Sequence, residues 1–309
     1  MTQQALDGIT VIEFGAFAAG PCIGKYMANH GAFVVRVESK SRLDGFRAHY
    51  PPFKDNIKGP NRSGVFAFNN DSVYSVGVNL KVPAGLEIAR KLASSADVVI
   101  ENFTPGTIRK LGLGYETLAG LNPRLVMLST CNLGQTGPRA QHPGFGSQLT
   151  SLSGFTYLVG EPGQSPVIVY GPYIDYIAVG YGYVAILAAL EHRRRTGRGQ
   201  YIDLSQYENG IQFLAPAVFE YQLLGTSPQR QGNQHSYAAP TAPTPAPSRI
   251  PGALSACLTM RNGSGCRNPW DGQPGQQVFV LPHSLRGKKT RENWMYCSPN
   301  GLGNGARRI

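Results

Sequence analysis

A chain of 309 residues, 41% hydrophobic and 15% charged, is long enough for one large α/β domain or two ordinary ones with a sizeable core. Its start, MTQQALDG, lacks the basic-then-apolar order of a signal peptide, and no apolar run reaches the roughly 18 to 20 residues of a membrane span, so a cytoplasmic protein without a membrane partner is expected. The net charge of +11 is concentrated late, with nine Lys or Arg against two Asp or Glu after residue 237, and no zinc-finger spacing, aromatic RNA-binding motif or amphipathic helix aims that charge at nucleic acid.

The elements predicted in chain order begin with ITVIEF (9–14), an apolar run of strand character. Pro21 then suits the first position of a helix running through His30, and AFVVRVES (32–39) is a second strand. Together these make one βαβ unit. VPAGLEIARKLASSA (82–96) has helical spacing at Leu86, Ile88, Ala89 and Leu92; DVVIEN and RLVMLST (124–130) follow as strands. Apolar strands alternating with helices predict a parallel sheet covered on both faces, a Rossmann-like doubly wound α/β fold. In YGPYIDYIAVGYG (170–182) a lone acid, Asp175, precedes a long apolar helix. Its expected buried stripe is Ile177, Tyr181, Val184, Leu187 and Leu190, ending in basic residues and Gly197. GQYIDLS is a further strand, and QYENGIQFLAPAVFEYQLLG a helix interrupted near Pro216.

At residue 238 the composition changes to APTAPTPAPSRIPG and then to turn-forming, basic, aperiodic sequence. The expected organisation is a large domain over 1–237 and a Pro/Gly-rich basic tail over 238–309, disordered or out of frame. The five cysteines (Cys22, Cys131, Cys257, Cys266, Cys297) form no CxxC pair and no metal-ligand spacing with histidine. Reduced thiols and no bound metal are therefore expected.

Three places carry candidate chemistry. GAFAAGPCIGKY (15–26) joins the first strand to the first helix, where backbone N–H groups and the helix dipole can hold an anion. Its glycines are not spaced GxGxxG and it lacks GK[ST], so neither a dinucleotide nor a nucleoside triphosphate loop is supported. GVNLKVPAG places Lys81 before a helix, and ENFTPGTIRKLG places Asn102 and Phe103 at a strand end with Arg109 and Lys110 beyond. Basic residues there suit phosphates and Phe103 suits an adenine, though each taken alone reads first as an ordinary solvated surface residue. Asp175, directly before its helix, suits an N-cap whose backbone bonds would hold it ionised and ready as a nucleophile. No GxSxG is present and the histidines sit in unrelated contexts, so no Ser-His-Asp arrangement competes.

Taken together, LDGITVIEFGAFAAGP, GAFVVRVES, ENFTPGTIRKLGLGYETLAGLNPRLVMLS, GQTGP, YGPYIDY and ALEHRRRTGRGQYIDLSQYE, in order from about residue 5 to 237, resemble a family III CoA-transferase. That resemblance implies a Rossmann-like large domain with a smaller one, two chains interlocked as rings, and Asp175 as the acid that attacks an acyl-CoA thioester. The products would be a mixed anhydride, then an aspartyl-CoA thioester, with CoA passing to a carboxylic acid acceptor. It implies coenzyme A as substrate with no tightly bound cofactor, held by Ala16, Phe17, Ala18, Ala19, Val78, Lys81, Asn102, Phe103 and Lys110. Departures exist. Ser39 and then Lys40 follow the second strand's VE where relatives have a basic residue at once, and Ala18 stands where formyl-transferring relatives have Gln, which disfavours formyl or oxalyl groups. Racemases of the superfamily carry a His-Asp pair where this chain has GFGS (144–147), so transfer is expected over racemisation. The small domain is not recognisable in the tail. An inactive remnant that binds CoA or a paralogue is the alternative expectation.

Overall fold

The computed structural model describes residues 4–169 and 171–234, together with three short strands, Pro243–Thr244, Ala253–Ala256 and Phe279–Leu281. The rest of the tail expected over 238–309 lies outside the described residues. Two compact units are present, residues 1–157 with 167–228, and residues 158–166 with 229–309. In the second, the three short strands pair antiparallel, and Gly232 N–H donates to Gly160 O at 3.0 Å.

The elements run in chain order as β1 (Thr10–Phe14), α1 (Ala19–Asn29), β2 (Phe33–Glu38), α2 (Gly45–Ala48), α3 (Gly64–Asn69), β3 (Tyr74–Gly77), α4 (Pro83–Ser95) and β4 (Val98–Glu101). Then come α5 (Thr107–Lys110), α6 (Tyr115–Leu121), β5 (Val126–Cys131), α7 (Gly146–Leu152), α8 (Phe155–Leu158), α9 (Tyr173–Thr196), β6 (Tyr201–Ser205), α10 (Gln206–Phe213) and α11 (Ala215–Leu224). All six strands are parallel, in the order β3-β2-β1-β4-β5-β6. Connections diverge on either side of β1, so β1 and β4 form the switch point at which doubly wound sheets bind ligands.

The apolar runs explain the layers. β4 and β5 are buried along their whole length, as strands covered on both faces must be. One core packs Val11, Val34, Ile100 and Leu128 under α1 and α9, and the other packs Ile12, Val99 and Met127 under α4 to α6. The edge strands β3 and β6 stay partly exposed. β3 escapes the apolar-run criterion because its YSVG buries almost nothing.

Several local expectations are corrected. Pro21 is the third residue of α1, not the first, because the helix starts at Ala19. α9 buries Ile174, Ile177, Ala178, Gly182, Ile186, Ala189 and Arg193, whereas Tyr181 and Val184 of the expected stripe are exposed. Leu187 and Leu190 are partly buried against the core. Small residues decided the face: a β-carbon on Gly182 would lie 2.6 Å from Ile23 and 3.0 Å from Leu204, so α9 turns this one of its two glycines to the sheet. The 24-residue α9 is also long and apolar enough to cross a membrane, by length and composition alone, against the expectation that no such stretch exists. Its packing on α1, α10 and β5 is that of a core helix, and one such helix is weak grounds for a membrane span.

Candidate functional site

The strand ends at the switch point are joined by one side chain. Asn102, just past β4, accepts from Ala16 N–H at 2.9 Å and donates to Ala16 O at 2.8 Å. Gly15 and Gly20 make this possible: a β-carbon on either would press on the Asn102 carboxamide, within 3.3 Å at Gly20. The next residue, Phe17, has φ 63, a left-handed conformation that a bulky residue adopts only when its surroundings impose it. Asp44 imposes it, accepting Phe17 N–H at 2.9 Å through Oδ2 and Phe46 N–H at 2.6 Å through Oδ1.

Beneath the turn, Arg36 of β2 is buried, donates to Gly15 O at 3.0 Å, and contacts both Asp44 and the Asn70 side chain. Its register partner on β1 is Glu13, whose Oε1 lies 3.4 Å from Arg36 Nε. Burial pushes the Glu13 carboxyl up to about 7 in spite of the neighbouring guanidinium. Neither Glu13 oxygen has a hydrogen-bond partner among the described residues.

The turn reaches Asp175 through aromatic rings. Phe17 meets Phe46, Tyr50 and Phe145 edge-on, with centroids 5.5, 6.4 and 6.1 Å apart. Phe145 precedes Gly146, the first residue of α7, and a β-carbon on Gly146 would stand 2.5 Å from Asp175 Oδ1. The N-cap of α9 is Pro172 and Asp175 is its third helical residue, so the N-cap role expected for the acid is corrected. Pro172 has no side chain to cap with, and no hydrogen bond to the Asp175 carboxylate occurs among the described residues. Burial alone pushes this carboxyl up to about 7, reversing the expectation that capping would hold it ionised.

The other sequence-derived residues are distributed along the same carboxyl edge. Ala18 and Ala19 are buried at the start of α1. Ala16 and Phe17 N–H are already engaged by Asn102 and Asp44, so the anion-binding capacity expected of the turn falls to the first amides of α1. Both functions of the Asn102 amide are spent on Ala16, which makes it a strut of the turn. Val78 is buried and donates its N–H to Glu38 O at 2.8 Å, while Lys81 is exposed, its N–H donating to Asn79 Oδ1 at 3.0 Å. Phe103 is partly buried on the α4–α6 side and its N–H donates to Glu101 Oε2 at 2.9 Å; Lys110 projects from the last turn of α5. The structure thus unites Ala16 to Ala19 and Asn102 with Asp175 through Phe145, and leaves Lys81, on the loop before α4, and Lys110, at the end of α5, as exposed cations nearby.

Sequence reasoning missed Gly146, Phe145, Arg36 and Asp44. One signal was available: Arg36 interrupts the apolar run AFVVRVES, and a charge inside a buried strand must be paired. The two described cysteines are free and buried, and burial pushes both thiols up to about 12, so neither is a thiolate nucleophile at neutral pH. Among the described residues no cluster of His, Cys, Asp or Glu is arranged to hold a metal.

The chain is similar to known CoA-transferases. The succinate–glutarate CoA-transferase of Agrobacterium fabrum is 38% identical over 239 residues, which is 77% of this chain and 60% of that protein. The succinyl-CoA–D-citramalate CoA-transferase of Chloroflexus aurantiacus is 34% identical over 238 residues, covering 77% and 58%. This chain therefore spans about three-fifths of the length of those curated relatives. Among solved structures, a CAIB/BAIF family protein from Brucella suis has a TM-score of 0.76 at 34% identity, over 83% of this chain and 67% of that one. Residues 6–246 match CoA-transferase family III, and with the six-stranded doubly wound sheet in place, the chain belongs to that family.

Proposed function

We propose that Asp175 exchanges CoA between an acyl-CoA thioester and a free carboxylic acid. The observation that carries this reading is the position of Asp175, an acid without hydrogen-bond partners among the described residues, packed on Gly146 beside the turn at the switch point. An Asp175 oxygen attacks the thioester carbonyl carbon, the C–S bond breaks, and CoA leaves as thiolate with a mixed anhydride left behind. The thiolate then attacks the aspartyl carbonyl and the donor acid departs, giving an aspartyl-CoA thioester. Attack by the acceptor carboxylate and return of the thiolate to the acceptor's carbonyl regenerate Asp175 and release the new acyl-CoA. No electron is gained or lost and no proton need be held in the cycle. A partly buried, weakly solvated carboxylate is a stronger nucleophile once ionised, and a dry surround protects the anhydride from hydrolysis.

Coenzyme A is placed at the carboxyl edge, with α1's first amides, Lys81 and Lys110 as the groups available to its phosphates. The homodimer implied by the resemblance belongs to the same proposal. Its support is the row of exposed apolar side chains on α11, Phe219, Tyr221, Leu223 and Leu224, which a solitary subunit leaves in water. Sedimentation across a concentration series tests that association.

The alternative outcome is a form that binds CoA without turnover. Mass spectrometry of the purified 309-residue chain after incubation with acyl-CoA and hydroxylamine separates the two. A hydroxamate at Asp175, absent from Asp175→Ala, supports transfer. CoA binding by calorimetry without any hydroxamate supports the non-catalytic form.

A further inference from the structure

α7 and the first turn of α9 meet at the acid, and one hydroxyl ties them together. Thr150, on α7, is fully buried. Its Oγ1 donates to Gly146 O at 2.7 Å and accepts the Ile174 N–H of α9 at 3.2 Å. The first bond is ordinary: a helical threonine readily folds back on the carbonyl four residues before it, and Ser151 and Ser153 of the same helix do so too. The second crosses to another helix.

The way α9 begins accounts for that crossing. The first amides of a helix have no partner within it, and a side chain at the N-cap normally takes one of them. Pro172 holds the N-cap here and offers no such group, so Thr150 caps α9 from the neighbouring helix. Both of its bonds fall beside the acid. Gly146, which accepts one, is packed so closely that a β-carbon there would lie 2.4 Å from Pro172 Cβ and 2.5 Å from Asp175 Oδ1. Ile174, which donates the other, directly precedes Asp175. On the α7 side, Asn132 Nδ2 donates to Gly144 O at 3.0 Å and fixes the approach to Gly146. On the α9 side, the buried Ile174 side chain keeps the helix docked on α10, where a β-carbon on Gly210 would stand 2.5 Å from its Cδ1. What the hydroxyl governs is therefore the fine placement of the first turn of α9.

We infer that Thr150 is a positioning residue for Asp175, its single hydroxyl holding together the two backbone segments whose separation sets where the carboxylate stands. This role rests on the transferase reading and adds a residue to that site. Without the hydroxyl, the Ile174 N–H is left unpaired in a buried interface, a state the chain relieves by moving the amide toward water. The first turn of α9 then draws away from α7 and takes Asp175 with it. The turn at residues 16 and 17 does not follow, because Asn102 and Asp44 fix it independently.

The test compares wild type with three variants of the full chain. Thr150→Val keeps the branched shape and loses the hydroxyl, Thr150→Ala loses it with less bulk, and Thr150→Ser retains it. Each is incubated with hydroxylamine and saturating acetyl-, butyryl- or succinyl-CoA. Hydroxamate formation at Asp175 is followed by mass spectrometry, beside circular dichroism and calorimetric CoA affinity. Thr150→Val and Thr150→Ala are expected to fold, to bind CoA within about twofold of wild type and to be labelled on the order of 10- to 100-fold more slowly. Thr150→Ser is expected to be labelled within about threefold of the wild-type rate. Slow labelling at unchanged affinity, restored by serine, is a pattern that lost stability alone does not produce. Labelling of folded Thr150→Val or Thr150→Ala at the wild-type rate overturns the inference while the transferase reading stands. Thr150→Ser as slow as Thr150→Val overturns it too, since the methyl group would then be what matters. Should neither hydroxyl-free variant fold, Thr150 is a residue of stability and the positioning role is overturned. No labelling of wild type by any donor overturns the transferase reading and this inference with it.

Discussion

Gly146 and Asp175 stand so close that a β-carbon on the glycine would lie 2.5 Å from the acid's Oδ1. Gly146 opens a helix, with Phe145 as its N-cap, so alanine suits its backbone, and the objections come from Asp175 and from Pro172, whose Cβ would lie 2.4 Å from the new β-carbon. Gly146→Ala is therefore expected to fold and to displace the carboxylate. A displacement on the order of 1 Å costs ~100-fold in rate. Labelled-acid exchange measured beside a thermal melt checks this; a folded variant with undiminished exchange would contradict the assignment of Asp175.

The nucleophile must be ionised, and burial places the Asp175 carboxyl at about 7. Exchange should rise with pH through 7 and level off above about 8, with roughly a tenth of the plateau rate remaining at pH 6. A rate-against-pH profile between 5.5 and 8.5 that is flat, or that falls, would contradict it.

Stability is expected to run the other way. Glu13, Glu101 and Asp175 are all raised to about 7 in the folded chain by burial. The folded state then holds more protons than the unfolded one above pH 4, so these groups favour folding at low pH and lose that contribution as pH rises through 7. Urea midpoints should fall between pH 5.5 and 8. Glu13→Gln, which cannot ionise, should flatten that fall by on the order of 1–3 kcal/mol. An unchanged slope would mean that Glu13 is ionised in the fold at pH 5.5.

Arg36 is the cation on which Glu13, Asp44 and the Gly15 carbonyl converge. Replacing it with methionine keeps the volume and strands the acids, at a cost of about 3–5 kcal/mol. Adding Glu13→Gln should recover part of that loss. Chemical denaturation of both variants measures the coupling, and strict additivity would show that the two side chains do not interact.

How much of this was legible beforehand depended on the kind of residue. Apolar runs such as ITVIEF and RLVMLST announced β1 and β5, because a strand buried on both faces must be apolar throughout. β3 gave no such signal, being held at the sheet edge by its pairing with β2 and little else. The buried face of α9 misled for a related reason. Periodicity weighs large residues, whereas the helix approaches the sheet through Gly182, Ala178 and Ala189. At the site, the acid was conspicuous as a lone charge, yet its partners were not. Phe145 and Gly146 lie about thirty residues upstream in sequence, and only the crossover from β5 to β6 brings α7 beside the start of α9. Nor could Asn102 be recognised as a strut, since its two bonds go to the backbone of residue 16, which leaves no trace in that residue's identity.

That last feature bears on how such a protein can change. Asn102 grips residue 16 by its amide and carbonyl, and Asp44 grips residue 17 by its amide, so the path of the turn is specified without reference to either side chain. Substitutions at 16 can then vary the lining of the site while the backbone course is conserved. A scaffold that fixes its main chain from outside lets selection, or a protein engineer, explore new ligands at that loop one side chain at a time.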